Sequence, residues 1–243
     1  MTREAFHRKL QEVQEAMLVM GSMVDQAIDR AVQALRTRDL TLARQIIADD
    51  EEVNRLRFQI EEQALSLIAT QAPMASDLRI LAAVLNIITD LERMADHAAG
   101  IAKITLIIGH EPPLKPLIDI PRMAQVAREM LRASLTAFME RDMRAAQQVA
   151  LRDDEVDHLY DQVYRELLTF MMADPRTIDR ATHLLWVAHN LERIADRVTN
   201  ICERVLFLVT GKMVEIKTGS DRQLEARTGT RTDGPPEGPN PSE

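Results

Sequence analysis

Proline and glycine are nearly absent from three long stretches of this 243-residue chain, and that absence limits the possible folds more than any motif does. Before Pro73 the only residue of either kind is Gly21; from Arg122 to Asp174, and again from Arg176 to Val209, there is none. Proline removes a helix hydrogen bond, and glycine costs about 1 kcal/mol in a helix interior. Their exclusion from runs rich in Ala, Leu, Glu, Arg and Gln therefore marks helices. Strands have no comparable support: aromatics are only 3% of the chain, and no sustained alternation is bounded by turn residues. Where breakers do occur, helix-boundary chemistry surrounds them. Asp39 and Asp142 each precede a fresh periodic run, as N-caps do, and Asp174–Pro175 is a cap followed by proline at a first helical position. The pattern predicts six helices, at roughly 4–37, 40–70, 74–108, 119–140, 142–172 and 175–210.

The six helices fall into two copies of three. "LERMADHAAGIAK" at Leu91–Lys103 returns as "LERIADRVTNICE" at Leu191–Glu203, 100 positions later. Earlier landmarks shift by 103: Asp39 pairs with Asp142 and Val53 with Val156. The three-residue difference belongs in the turn before the third helix of each copy. That third helix carries an apolar seam with alternating spacings of four and three, the pattern of helical bundles. In the first copy it runs Ile80, Val84, Ile87, Leu91, Met94, Ala98, Ile101, Thr105, Ile108; in the second, Leu184, Val187, Leu191, Ile194, Val198, Ile201, Val205, Leu208. The expected fold is all-α: two tandem three-helix bundles of six long helices in one elongated chain. Residues 1–110 form the first repeat, 111–121 a linker and 122–211 the second repeat. Residues 212–243 form a polar tail, expected to be disordered from about 219.

A formal net charge of −8 argues against nucleic acid as the main partner, because phosphate neutralisation needs a basic surface. It leaves cations and basic protein surfaces. The lone cysteine, Cys202, cannot close an internal disulfide; it reads as a small buried residue in a reducing compartment. The N-terminus shows no apolar signal segment, and no run approaches the roughly 20 apolar residues of a membrane span, so a soluble cytoplasmic protein is expected. No phosphate-binding glycine loop, nucleophile elbow or zinc spacing is present, and no catalytic residue is assigned.

The chemistry worth following lies in the repeated carboxylates. Glu92 with Asp96, and Glu192 with Asp196, sit four apart on one flank of the third helix, outside the seam. Like charges at that spacing cost an isolated helix a few tenths of a kcal/mol, roughly. The adjacent Arg93 and Arg193 point about 100° away and are imperfect counterions. The preceding helix of the second copy adds Asp153 and Asp157; the matching places in the first hold Asp50 and Asn54. If these helices pack antiparallel, each half gathers four oxygen-bearing side chains, a set that hard cations and iron or manganese accept. A single such pair reads as a solvated acidic flank; repetition in register raises the cation reading beside it. Glu4–His7 and Glu155–His158 match the Glu-x-x-His spacing of di-iron bundles, but at non-equivalent positions of the repeat. His97, His183 and His189 read as surface or satisfied residues rather than ligands.

These motifs, with "MGSMVDQAIDRAVQAL", "QAPMASDLRIL" and "MMADPRTIDRATHLLWVAHNLERIADR", resemble the PhoU family of bacterial phosphate-uptake regulators over roughly Phe6–Gly211. Ala95 and Ala195 stand where the family signature usually has glycine, and Asn54 where it has an acid. The resemblance implies two three-helix bundles and a cytoplasmic, non-enzymatic negative regulator of phosphate uptake and phosphate-starvation signalling. It implies an adaptor, a homodimer, between the ATPase subunit of a phosphate ABC transporter and a sensor histidine kinase. It also implies iron, zinc or manganese on Glu92, Asp96, Asp153, Asp157, Glu192, Asp196 and Asp50. The alternative is a metal store or metal-dependent enzyme built on the same carboxylates.

Overall fold

The computed structural model describes residues 3–217 and Gly219; apart from Gly219, the tail expected to be disordered from about 219 lies outside the described residues. Among the described residues there are seven α-helices and no strand. They are α1 (Arg3–Thr37), α2 (Leu40–Gln71), α3 (Ala75–Ile108), α4 (Asp119–Glu140), α5 (Met143–Ala150), α6 (Asp153–Ala173) and α7 (Ile178–Thr210), with a 3-10 turn at Pro175–Thr177. α1, α2 and α3 pack together as one bundle; α4, α5, α6 and α7 make the second. No helix of the described residues is long and apolar enough to cross a membrane.

Equivalent turns are built from equivalent residues. Arg38 and Arg141 both enter the left-handed region, at φ 58° and 55°. Asp39 and Asp142 then cap the next helix, each side chain accepting two backbone N–H bonds at 2.9–3.0 Å. Losing such a cap costs about 1 kcal/mol. The three-residue difference between repeats falls at Ala72–Met74, which separates α2 from α3, whereas Asp174 alone separates α6 from the 3-10 turn.

One expectation is corrected. The single helix at 142–172 is two, α5 and α6, interrupted at Leu151–Arg152, although its counterpart α2 is continuous. At the break the hydrogen bonds tighten to three-residue spans, from Arg152 N to Val149 O and from Glu155 N to Arg152 O, both 3.0 Å. The Arg152 side chain reaches across to Glu129 of α4 at 2.8 Å. The new helix start places Asp153, Asp154 and Glu155 in a first turn, where the helix dipole favours negative charge.

The two bundles lie side by side in one continuous core, joined by α3 against α7 and α1 against α4. Both contacts are antiparallel and obey an internal pseudo-two-fold. Asp90 of α3 meets Arg197 and Asn200 of α7 at 3.4 and 3.1 Å. The equivalent Asn190 of α7 meets His97 of α3 at 2.9 Å and lies against Gly100, where an added Cβ would stand 3.1 Å from it. Because α3 and α7 each face a neighbouring helix as well as their own bundle, their burial spreads beyond the seam to Leu81, Ile88, Ala95 and Ala102, and to Ala181, Ala188, Ala195 and Cys202. The seam itself is buried except at half-buried Ile108, and Thr105, its one polar interruption, donates to Ile101 O at 3.0 Å. Each fully buried Leu or Ile stabilises the fold by roughly 1.5–3 kcal/mol.

On the α1–α4 contact the pseudo-two-fold sets position 25 opposite its own equivalent, 128. Asp25 takes Arg128 and Arg132, at 3.0 and 3.1 Å, and Arg128 also pairs with Asp29. Identical residues there would repel; the repeats have diverged to opposite charge. The Lys115 ammonium, only 5% exposed, fastens the inter-repeat loop to Asp119 at 3.4 Å and to Glu166 of α6. Asp25→Arg, setting a third cation against Arg128 and Arg132, is expected to lower the unfolding free energy by about 2–3 kcal/mol. Exchanging all four charges (Asp25→Arg, Asp29→Arg, Arg128→Asp, Arg132→Asp) should recover most of that loss in urea denaturation, because the pseudo-two-fold interchanges the two sides.

Candidate functional site

The structure gathers the repeat-2 acids into a half-buried ledge between α6 and α7. Asp153 opens α6 and is 4% exposed; Asp157 lies one turn on, and Glu192 and Asp196 face them from α7. Burial, with the negative charges of Asp157, Asp196, Glu192 and Asp154, pushes the Asp153 carboxyl up to about 8. Burial, with Asp196 and against the opposing pull of Arg193, raises Glu192 to about 7. Arg193 pairs with Asp196 at 2.6 Å across one helical turn, so its reach overcomes the unfavourable angle expected of it. Asp153 Oδ1 and Glu192 Oε2 are buried without a hydrogen-bond partner. His189 Nδ1 stands 3.2 Å from Glu192 Oε2, an ion-pair distance without hydrogen-bond geometry.

Repeat 1 builds the same ledge more openly. Asp50 of α2 faces Asp96 and Glu92 of α3, whose negative charges act on it. Burial, then Asp96, raises Asp50 to about 6, while the ammonium of Lys103 opposes the rise. Asp96 and Lys103 are exposed, whereas Asp196 is half-buried. Behind Asp50 a cavity between α1 and α2 is lined by Arg30, Val53 and Ala95. All seven acids singled out from the sequence therefore converge, three on one ledge and four on the other. As the side chains stand, no group of three or more His, Cys, Asp or Glu among the described residues is disposed to hold a metal ion. Arg193 already occupies Asp196.

The Glu-x-x-His pairs do not form a second centre. Glu155 bonds Arg122 at 3.2 Å, and His158 Nδ1 contacts the carbonyl of Asp154. Burial lowers the pKa of His97, against the opposing pull of a hydrogen bond between Nδ1 and Asn190 Oδ1 at 2.9 Å. His183 lies tilted against Trp186, with ring centroids 5.7 Å apart and planes at 59°. Cys202 is fully buried, and burial pushes its thiol up to about 12. Pattern reading missed Asp90, whose carboxyl is raised by burial and steadied by Asn200 and Arg197. The only sequence signal was a polar residue directly before both "LER" motifs. Lys115 gave none, since a lysine among prolines reads as solvated loop.

A ledge of this kind can store protons or accept a cation. Both depend on negative charge held close together and away from water, which costs free energy until it is neutralised. Asp153 has an ordinary value of 3.8 and a folded value of about 8, so between those limits the folded chain binds more protons than the unfolded one. Stability then falls as pH rises from about 4 to about 8. Asp153→Asn is expected to stabilise the protein at pH 8 by about 1–3 kcal/mol and to have little effect at pH 4.5, as read by denaturant unfolding at the two pH values.

Comparison with known proteins agrees with this architecture. The model of the PhoU domain matches residues 17–105 and 120–205, one match per bundle. A phosphate-specific transport system accessory protein PhoU homolog of Aquifex aeolicus is 39% identical over 208 residues, covering 86% of this chain and 94% of that protein. A Caulobacter vibrioides protein of the same description is 40% identical over 212 residues, covering 87% and 92%. The crystal structure of PhoU from Pseudomonas aeruginosa superposes with a TM-score of 0.81 at 34% identity, covering 85% of this chain and all of that one. The phosphate transport system regulatory protein PhoU from Streptococcus pneumoniae gives 0.80 at 32%, covering 86% and 99%. A duplicated three-helix unit, two acid ledges in register and end-to-end likeness to these proteins place the chain in the PhoU family of phosphate transport accessory proteins.

Proposed function

We propose that the protein is a negative regulator of phosphate uptake and of phosphate-starvation signalling. It acts in the cytoplasm, as a homodimer, by linking the ATPase subunit of a phosphate ABC transporter to a sensor histidine kinase. The observation that carries this reading is end-to-end likeness to accessory proteins of phosphate-specific transport, 39% identity across 94% of the Aquifex aeolicus relative. The surface suits an adaptor. Tyr164, Leu168 and Met172, four apart on α6, are exposed and line one stripe of an otherwise polar helix face, the kind of apolar anchor that protein contacts use. Deleting the gene should make alkaline phosphatase expression constitutive in phosphate-rich medium. Phosphatase that stays repressed, together with failure of the purified protein to retain either partner in a pull-down, would refute the reading.

A second reading is favoured by the two buried oxygens without partners, Asp153 Oδ1 and Glu192 Oε2. Asp153, Asp157, Glu192 and Asp196 would hold a divalent cation, with Asp50, Glu92 and Asp96 as the repeat-1 counterpart. An all-oxygen donor set suits manganese or iron better than zinc, which prefers nitrogen and sulfur. The bound ion would add positive charge to that of Arg193, the guanidinium already on the ledge. Cations bind the ionised carboxylates, so Mn2+ should raise the melting temperature by several degrees, roughly, at pH 7.5 and hardly at all at pH 5 or in Asp153→Asn, as read by calorimetry.

A further inference from the structure

Away from the ledges, the end of α1, the end of α3, the inter-repeat loop and the start of α7 enclose a cavity of about 120 Å3. Its walls are apolar: Leu35, Ile108 and Leu184 from the three helices, with Pro113, Leu114 and Leu117 from the loop. The rest of its lining carries three guanidiniums, Arg36, Arg38 and Arg180, against one carboxylate, Glu111. That local excess of positive charge runs against the net charge of −8 of the whole chain.

The arginines keep donors to spare. Arg180 donates to the carbonyl of Pro112, and its Nε stands 3.8 Å from Glu111 Oε2. Arg38 makes a long bond, 3.4 Å, to the carbonyl of His110. Arg36 is exposed and forms no hydrogen bond or ion pair among the described residues. A guanidinium carries more N–H groups than these contacts use. The same bonds, with the Lys115 ammonium on Asp119 and Glu166, hold the loop in place. The cavity wall is therefore preformed, and little ordering cost falls on a ligand.

The duplicated corner carries different chemistry. By the repeat offsets, Leu35, Arg36 and Arg180 correspond to Phe138, Met139 and Ile80. A buried ring replaces Leu35, and two of the three cations become apolar. Neither the space beside Leu35 nor the arginine trio is thus dictated by the three-helix unit itself.

We propose that this corner binds a small organic anion: an acid head, carboxylate or phosphate monoester, on one compact apolar body about the size of a benzene ring. An engineered protein cavity of about 150 Å3 takes up benzene, so the scale fits. The apolar body lies among the leucines, and the acid oxygens take paired N–H bonds from the guanidiniums. The ligand spans both repeats, since Leu35 and Ile108 belong to the first and Arg180 and Leu184 to the second. The inference stands apart from the transport and cation readings.

The test titrates benzoate, phenyl phosphate, inorganic phosphate and benzyl alcohol into the full chain at pH 7.5, read by NMR of the Leu and Ile methyl groups. Benzoate or phenyl phosphate should shift the methyls of Leu35, Ile108 and Leu117 and bind about tenfold more tightly than inorganic phosphate or benzyl alcohol. The tighter of the two acids identifies the head group. Arg36→Gln, at an exposed position, should weaken that acid about tenfold. Leu35→Phe, which copies the repeat-2 residue, should abolish its binding; should that variant fail to fold, Arg36→Gln decides. No shift with any probe overturns the site, as do shifts confined to methyls elsewhere. Benzyl alcohol binding as tightly as the acids overturns the role of the arginines, and inorganic phosphate doing so overturns that of the apolar walls. Shifts that follow protein concentration rather than probe mean that a second copy of the chain fills the cavity, which also overturns the proposal.

Discussion

α3 and α7 run antiparallel through the middle of the molecule, and their contact sets where everything else can sit. Each is covered on one side by its own bundle and on another by its counterpart. Only a narrow outer flank is left to water, and the carboxylates occupy it. Alanines at 95, 98 and 102, and at 181, 188 and 195, keep the helices slim enough for this double burial. Polar residues at the contact are matched rather than excluded: Asp90 with Asn200 and Arg197, His97 with Asn190. An unmatched carboxylate at Asp90 would cost several kcal/mol, roughly, so these pairings fix the register of one bundle on the other.

Duplication explains both the symmetry and its breaks. Two identical bundles around a two-fold place like residues opposite each other on the axis. A fused chain is free to change one copy at a time, and Asp25 against Arg128 is what that freedom produced. The same freedom acted on the ledges. Lys103 stands where repeat 2 has Glu203, and Asn54 stands where repeat 2 has Asp157. The helix continuous in α2 is interrupted before Asp153, which buries that carboxylate at a helix start. The two ledges share an origin and differ in hydration and charge balance.

Burial competes with charge on the repeat-2 ledge, and neither wins outright. Asp153 sits among four other acids in a nearly dry setting, so it keeps its proton up to about pH 8. Arg193 pairs with Asp196 and pulls against the rise at Glu192, but only in part. The fold tolerates this because the α6–α7 packing beneath, with Val156, Leu159, Ile194 and Val198 buried, outweighs the local cost. Ledges that store unfavourable charge are poised to respond to whatever neutralises them, whether proton, lysine or cation.

The sequence alone determined the helices, the duplication and the placement of the acids on one flank. Helix formation is read over four residues, caps over three, and seam periodicity over a few turns, so these signals are local. The caps at Asp39 and Asp142 and the seams were therefore legible before any fold was known. The likeness to PhoU proteins was legible for the same reason, since it rests on contiguous motifs. Tertiary structure alone decided which carboxylates lose their water, where the helix before Asp153 breaks, and that Lys115 and Asp90 matter. Those outcomes depend on side chains brought together from up to 110 residues apart, as Asp90 and Asn200 are. The desolvation of a carboxylate is set by such neighbours, and no window along the chain contains them.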